Sequence, residues 1–114
     1  MAQLSTKIEK YLAQNGVNTV DFLADVLLQD DGSGPYIKAW NIDSVAQPND
    51  SQLAAVDTAA DLEERQNAVR ATRRAAYADI GDQLDMQYKD NVNSTTTWKD
   101  HVAAVKSANP IPTE

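Results

Sequence analysis

The fold is decided by the stretch DDGSGPYIKAWNI, which occupies residues 30–42. Its first six residues are Asp, Gly, Ser and Pro, the residue types that favour tight turns. The remaining residues are rich in aromatic and β-branched side chains and alternate in character, which indicates a strand at about 35–42. Because successive strand residues point to opposite faces, Tyr36 and Trp40 are predicted on one side and Ile37 on the other.

The preceding segment, VDFLADVLLQ at 20–29, fits two periodicities. Its apolar residues alternate as in a strand, but Phe22 and Val26 also share one face of a helix. The turn that follows favours the strand, so strands at about 22–29 and 35–42 are predicted to form a β-hairpin. A lone hairpin is marginally stable in water. Its apolar side must therefore pack on a helix of this chain or on another chain.

Helical periodicity covers most of the remaining sequence. In 4–15, Ile8, Tyr11 and Leu12 fall at i, i+3 and i+4, which predicts an amphipathic N-terminal helix. Charged and polar residues occupy the other positions of this segment and would face the solvent.

A long helix is predicted at about 50–79, because this region is rich in the strong helix formers Ala, Leu, Glu, Arg and Gln. Asn49 and Gln52 have the spacing of a capping box at its start. Gly81 weakens a helix locally, so the helix is predicted to break there and a second helix to continue at about 80–90.

The last helix is predicted at about 98–108, with Thr97 as its N-cap and Pro110 beyond its end. Together these elements predict an α+β fold that is mainly α. We predict an N-terminal part at 1–47, containing the first helix and the hairpin, and a helical part at 48–114 with an extended C-terminal tail. The two parts form either one compact unit or two loosely packed halves.

The chain carries 17 acidic and 10 basic residues, for a formal net charge of −7. This balance disfavours direct contact with nucleic acid or with an anionic membrane, because phosphate contacts need clustered Lys and Arg. The first residues lack a signal-peptide pattern, and no apolar stretch is long enough to span a bilayer. We therefore expect a soluble protein with no membrane partner.

One basic cluster is present in the predicted long helix. It alternates with acidic residues such as Glu63 and Glu64, and we interpret it as a solvated, self-paired helix face rather than an anion-binding patch. The members of the cluster are Arg65, Arg70, Arg73 and Arg74.

The residue types give little support to catalysis. The absence of cysteine removes thiol nucleophiles, disulfides and Cys-based metal sites. Asp30 and Asp31 begin like a calcium loop, but the bidentate acid that such a loop needs is missing, so we interpret them as turn residues. His101, the only histidine, is interpreted as a surface residue, and the carboxylates between Asp79 and Asp85 as a solvated helix face. We expect no enzyme, no cofactor and no metal site; a metal-binding regulator that uses these acids is the least favoured hypothesis.

Large side chains are the main candidates for contacts with other proteins. Trp and Tyr dominate protein interfaces, but they also anchor small cores, and we favour the core for Tyr36, Trp40 and Trp98. The candidate interface residues are Tyr36, Ile37, Trp40, Tyr77, Leu84, Met86 and Trp98.

Two packing hypotheses concern the C-terminal half. Arg73 or Arg74 is predicted to pair with Asp82 or Asp85 across the helix break, which would set the angle there. A small core between the last helices is predicted from Tyr77, Leu84, Met86 and Trp98.

Two blocks of the sequence together carry a resemblance to a known group of proteins. The first block is 30–41, followed by Gln47-Pro48 and Leu53. The second, which is the more specific, comprises 73–77 and 80–86, followed by Trp98, Val105-Lys106 and Pro110. Over roughly 30–110 the chain thus resembles small tailed-bacteriophage proteins found near tail, baseplate and tail-fibre genes, which include virion components and tail-fibre assembly chaperones. The resemblance does not extend to 4–28.

The resemblance implies a non-enzymatic structural or adaptor protein of a phage virion that contacts tail, baseplate or fibre proteins. Such a protein is made in the host bacterial cytoplasm and then resides in the particle. Its partners would be other phage structural proteins, with self-association inside the particle as a further option. The alternative is a tail-fibre assembly chaperone that is absent from the mature particle.

Overall fold

The computed structural model describes residues 2–114, which contain five helices and one two-stranded antiparallel hairpin. This composition confirms the predicted α+β, mainly α class. Among these residues, no helix combines the length and the apolar character that a membrane crossing requires. The elements in chain order are α1 Leu4–Gln14, β1 Val26–Asp30, β2 Pro35–Trp40, α2 Asp50–Ala55, α3 Asp57–Ala76, α4 Ile80–Asn93 and α5 Thr97–Ala108.

The chain divides into two compact units. The N-terminal unit extends to Glu64 and contains α1, the hairpin, α2 and the first part of α3. The C-terminal unit, Arg65–Glu114, contains the rest of α3, α4, α5 and the tail.

The core of the N-terminal unit joins its helices to its hairpin. The amphipathic face predicted for α1 is buried, and Val26 of β1 lies in the same cluster. The apolar side of the hairpin is therefore covered by residues of this chain, one of the two options that its sequence leaves open. The buried members of the cluster are Ile8, Tyr11, Leu12, Val26, Val45, Leu53 and Val56.

A β-bulge sets which side chains of the hairpin reach this core. Leu27 pairs with Ala39 and Leu28 with Ile37, so Lys38 is the extra residue on β2. The extra residue brings Ile37 and Trp40 onto the same face, where both pack against the core. The prediction that they lie on opposite faces is wrong, because it assumed unbroken alternation.

The strands are also shorter than predicted. β1 begins at Val26 instead of about 22, because a turn occupies the residues before it. In that turn Asp25 N–H donates to the Asp21 carbonyl at 2.7 Å, and Leu23 N–H donates to the Asp21 carboxylate at 2.7 Å. β2 ends at Trp40 instead of about 42.

The predicted long helix at 50–79 is in fact two helices. The capping box is confirmed: Gln52 N–H donates to Asn49 Oδ1 at 2.8 Å, and Asn49 N–H donates to Gln52 Oε1 at 2.9 Å. The helix then breaks at Val56, which is 2% exposed. Asp57 starts α3, and its carboxylate accepts a hydrogen bond from the Ala2 N–H at 3.0 Å. Val56 is thus buried in the tertiary structure at this break, and the helix-forming composition of the segment does not reveal that burial.

A second break separates α3 from α4, close to its predicted place. α3 ends at Ala76 and α4 begins at Ile80. Gly81 lies inside the first turn of α4 and not at the break itself. α4 packs against α5 in the C-terminal unit.

Candidate interaction surface

The acidic residues of α3 contact the first helix of the N-terminal unit. Glu64 accepts hydrogen bonds from the Gln3 N–H at 2.9 Å and the Thr6 hydroxyl at 3.0 Å. Glu63 forms an ion pair with Lys10 at 3.2 Å. The prediction of a self-paired face is therefore wrong for these two glutamates, because α1 lies within their reach.

The basic end of α3 holds the C-terminal tail. Three side chains of α3 donate hydrogen bonds to carbonyl groups after or at the end of α5, so the tail is extended, as predicted, but bound along α3. Arg73 uses its guanidinium here, and among the described residues neither Arg73 nor Arg74 pairs with Asp82 or Asp85, so that prediction is wrong. The bonds are Arg65 to Glu114 at 2.7 Å, Gln66 to Pro112 at 2.9 Å, Arg73 to Asn109 at 2.8 Å and Arg73 to Lys106 at 3.3 Å.

The two aspartates of the hairpin turn serve the turn itself. Asp30 accepts hydrogen bonds from the N–H groups of Gly32 at 2.8 Å and Gly34 at 3.2 Å. Both glycines have φ near +110°, a conformation that side chains disfavour. The predicted turn is thus confirmed. No group of three or more potential metal ligands occurs among residues 2–114.

Tyr36 is the exposed member of the hairpin candidates, at 42%. Its hydroxyl donates to the Asp31 carboxylate at 2.6 Å. This bond lowers the pKa of Asp31 and raises the pKa of Tyr36, because it stabilises the carboxylate and the neutral phenol. The phenol ring therefore stands at the surface beside the turn, on the face opposite Ile37 and Trp40.

Trp40 is half-buried and belongs to the core packing. Its ring lies 6.4 Å from the ring of Tyr11, and its Nε1–H donates to the Val45 carbonyl at 2.8 Å. The Tyr11 hydroxyl donates to the next carbonyl, that of Ala46, at 2.7 Å. The two aromatic side chains together hold the loop that leads into α2.

His101 has a structural contact that the sequence did not reveal. Its Nε2 accepts a hydrogen bond from the Ala78 N–H at 3.1 Å. Its ring meets the ring of Tyr77 edge to face, 6.2 Å between centroids. The interpretation of His101 as a surface residue is wrong, because α5 brings it to the turn between α3 and α4.

Asp90 of α4 caps α5. The predicted cap, Thr97, is instead the first residue of the helix, and Thr96 at the N-cap position makes no capping bond with its side chain. Asp90 accepts hydrogen bonds from the Thr95 hydroxyl at 2.6 Å and from two N–H groups, those of Thr97 at 2.9 Å and Trp98 at 2.8 Å. These hydrogen bonds lower the pKa of Asp90, with the largest effect from Thr95 and the next from Trp98.

The stability of the C-terminal unit is expected to fall in acid partly through Asp90. Since its pKa is lower in the folded protein than the ordinary value of 3.8, the unfolded chain binds the proton more tightly. The stabilisation is present at pH values above the ordinary pKa of 3.8 and is lost as the pH falls from there through the lowered pKa of the folded protein. Thermal unfolding of Asp90→Asn followed by circular dichroism should show a midpoint a few degrees lower at pH 7 and a shallower acid dependence.

The control for this prediction is Asp100→Asn, in α5, the helix that Asp90 caps. Asp100 accepts one hydrogen bond, from the Thr96 hydroxyl at 3.0 Å, and caps no backbone group in the described chain. An equal loss in both variants would contradict the capping role of Asp90.

The remaining candidates of the C-terminal unit differ in exposure. Tyr77 and Met86 are half-buried, whereas Leu84 is 58% exposed and lies outside the small core that was predicted. Trp98 is 37% exposed, and its Nε1–H donates to Gln83 at 3.2 Å. A shallow depression of about 330 Å³ on α5 is lined by Trp98, Lys99, Val102, Ala103 and Lys106.

The comparisons with known proteins concern the N-terminal unit. Residues 10–65 match the XkdW protein family, just under half of the chain. This family is phage-associated. The match supports a phage-encoded protein. Neither a curated protein nor a solved structure matches the chain.

The residues that match the family differ from those over which the resemblance is predicted. It includes residues 10–28, where no resemblance is predicted, and it ends before the block at 73–110 that was expected to be the more specific. It ends one residue past Glu64, the last residue of the N-terminal unit. The matched sequence and the first compact unit are therefore nearly the same part of the chain.

Proposed function

We propose that this protein is a non-enzymatic structural adaptor of a tailed-phage virion, bound to tail, baseplate or fibre proteins. The observation that carries the proposal is the match of the N-terminal unit to a phage-associated family. The N-terminal unit matches the family, and the C-terminal unit lies outside the match. Two units of different kinds are consistent with a protein that joins different neighbours. The resemblance of both halves to tail-region proteins points in the same direction.

The chemistry of the described residues supports a role without catalysis. The carboxylates of Asp30, Asp31 and Asp90 accept hydrogen bonds that form turns or a helix cap. The only histidine accepts a backbone hydrogen bond through Nε2. Groups committed to local structure in this way are poor candidates for general acid–base work, which needs a group in reach of a substrate.

The charge distribution indicates what each unit would bind. The N-terminal unit contains 3 basic and 11 acidic residues, whereas the C-terminal unit contains 7 basic and 6 acidic residues. Complementary charge favours a basic surface as the neighbour of the N-terminal unit. The C-terminal unit, with its nearly neutral charge, would bind through apolar contact.

Purified particles of the phage that encodes this chain should contain the protein. Mass spectrometry of virions purified through a density gradient is expected to detect its peptides at a constant ratio to a known tail protein. A lysate of the infected host, in which the chain is expressed, serves as the control for detection.

The result that would overturn the virion role is the chain present in the lysate and absent from the particles. The exposed apolar side chains of Leu23 at 89% and Ile80 at 74% would then favour the alternative, an assembly chaperone that binds tail-fibre protein transiently. Co-purification with fibre protein from lysate, but not from particles, would establish that alternative.

A further inference from the structure

One side of α4 exposes a continuous row of large apolar side chains. The four residues follow one another at intervals of four, so they form a single ridge along the helix. Monomeric soluble proteins rarely expose a large contiguous apolar patch without an interaction that covers it. The members of this α4 ridge and their exposures are Ile80 at 74%, Leu84 at 58%, Tyr88 at 67% and Val92 at 62%.

The ridge lies away from the side of α4 that its own unit buries. Gln83, Met86 and Asp90 are the half-buried residues of the helix. Asp90 caps α5, and Gln83 accepts the hydrogen bond of the Trp98 indole. At 100° per residue, Met86 and Asp90 project opposite to the ridge. The packing of α4 on α5 therefore leaves the ridge uncovered.

The residues that flank the ridge are suited to contact with a second copy of the chain. On one edge stand Asp85 and Lys89, one turn apart and paired with each other at 3.1 Å. On the other edge stand the neutral side chains of Gln87 and Asn91. Neither edge carries a net charge, although the whole chain has a net charge of −7. Two copies of the chain can therefore meet at this ridge without the charge repulsion that would arise between two acidic N-terminal units.

We infer that a second copy of this chain covers the α4 ridge, in an antiparallel pair of α4 helices related by a two-fold axis. An isologous contact requires a surface that is complementary to itself. The regular spacing of the α4 ridge provides this self-complementarity. With the two-fold axis near residue 86, Leu84 meets the partner's Tyr88, and Ile80 meets the partner's Val92.

The charged edge adds specificity to this pair. In an antiparallel pair the same edge of both helices meets, so Asp85 stands beside the partner's Lys89, and Lys89 beside the partner's Asp85. A parallel pair related by a two-fold axis would instead set this edge beside the neutral edge of the partner helix, with no pairing of charges. The inference uses only the C-terminal unit and does not depend on the virion role.

Sedimentation equilibrium of the full chain tests the inference directly. From about 1 to 100 µM the protein should pass from monomer to dimer, the range expected for an interface of this modest size. Leu84→Asp should raise the dimer dissociation constant at least about tenfold, because it buries a charge without a partner. The matched control is Leu23→Asp, an exposed leucine in the other unit, which should leave the constant unchanged.

A charge exchange tests the antiparallel arrangement. Asp85→Lys and Lys89→Asp should each weaken self-association, because every cross-helix pair becomes a like-charge pair. Mixing the two variants restores opposite charges across the interface, so the mixture should form a heterodimer at least about tenfold tighter than either homodimer. Circular dichroism of each variant checks that α4 remains helical, as expected for exposed positions.

Three outcomes would overturn the inference. The first is a wild-type chain that remains monomeric at 100 µM, which would leave the ridge to another protein or to another part of this chain. The second is equal dimerisation of Leu84→Asp and Leu23→Asp, which would place the interface elsewhere. The third is a mixture of the charge variants that associates no more tightly than its components, which would exclude the antiparallel pair.

Discussion

Leu12→Ala is expected to lower the free energy of unfolding of the N-terminal unit by about 3 kcal/mol, within the range of about 2–5 kcal/mol for buried leucines. Leu12 is 1% exposed and lies in the core cluster with Ile8 and Val26, the other fully buried large side chains. Truncation of Leu12 leaves a cavity inside this cluster, and the surrounding side chains relax only partly to fill it. A unit of this size has a total stability of only about 3–10 kcal/mol, so the loss is a large share.

Urea unfolding followed by circular dichroism would measure this loss. The matched control is Leu23→Ala, the same substitution at a leucine that is 89% exposed, for which a change within about 0.5 kcal/mol is expected. If the two variants were equally stable, Leu12 would not belong to a packed core.

Trp40→Ala is the second substitution expected to have a large effect, with a loss of about 3 kcal/mol, the lower end for an aromatic truncated in a core. The indole packs against the ring of Tyr11 and donates to the Val45 carbonyl at 2.8 Å. Its removal takes away both the apolar contact and the hydrogen bond that holds the loop before α2. An interface role alone would leave the stability of the isolated chain unchanged.

The measurement for Trp40 is again urea unfolding, with two comparison variants. Trp40→Phe keeps a ring in the core but loses the hydrogen bond, so an intermediate stability is expected. Trp98→Ala removes the other tryptophan, which is 37% exposed, and should cost less. A Trp40→Ala variant that is as stable as the wild type but no longer binds a phage partner would assign Trp40 to the interface.

Features that depend on neighbouring residues along the chain were predictable. The hairpin turn follows from Asp30 and the glycines after it, which close the turn by hydrogen bonds within five residues. The capping box of α2 follows from the spacing of Asn49 and Gln52. The buried face of α1 follows from its period. In the first two cases the determining contact lies within one tight turn or one helical turn, and in the third the period of the apolar residues marks the face before its tertiary partners are known.

Features that depend on distant residues were not predictable in the same way. The bulge at Lys38 changes which residues of β2 face the core, and only the pairing of the two strands reveals it. The cap of α5 comes from Asp90, which precedes the helix by seven residues. His101 meets Ala78, 23 positions away. Such partners are chosen by tertiary packing, and sequence spacing carries no signal for them.

The same distinction holds for the candidate interaction surface. Large apolar residues on α4 can be read from the sequence, but which of them α5 covers cannot. Met86 and Leu84 were predicted together as core and interface residues, yet only Met86 is half-buried. The other members of the α4 ridge, Ile80, Tyr88 and Val92, were missed as candidates. Their regular interval of four was the signal that could have found them.

By itself, the sequence determined the α+β class, the hairpin turn, the capping box of α2 and the approximate extent of most helices. Local dihedral preferences and short-range hydrogen bonds control these features. Tertiary structure decided the break at Val56, the common face of Ile37 and Trp40, and the exposed ridge on α4. Each of these depends on which apolar surfaces meet, and burial is a property of the packed chain and not of any segment alone.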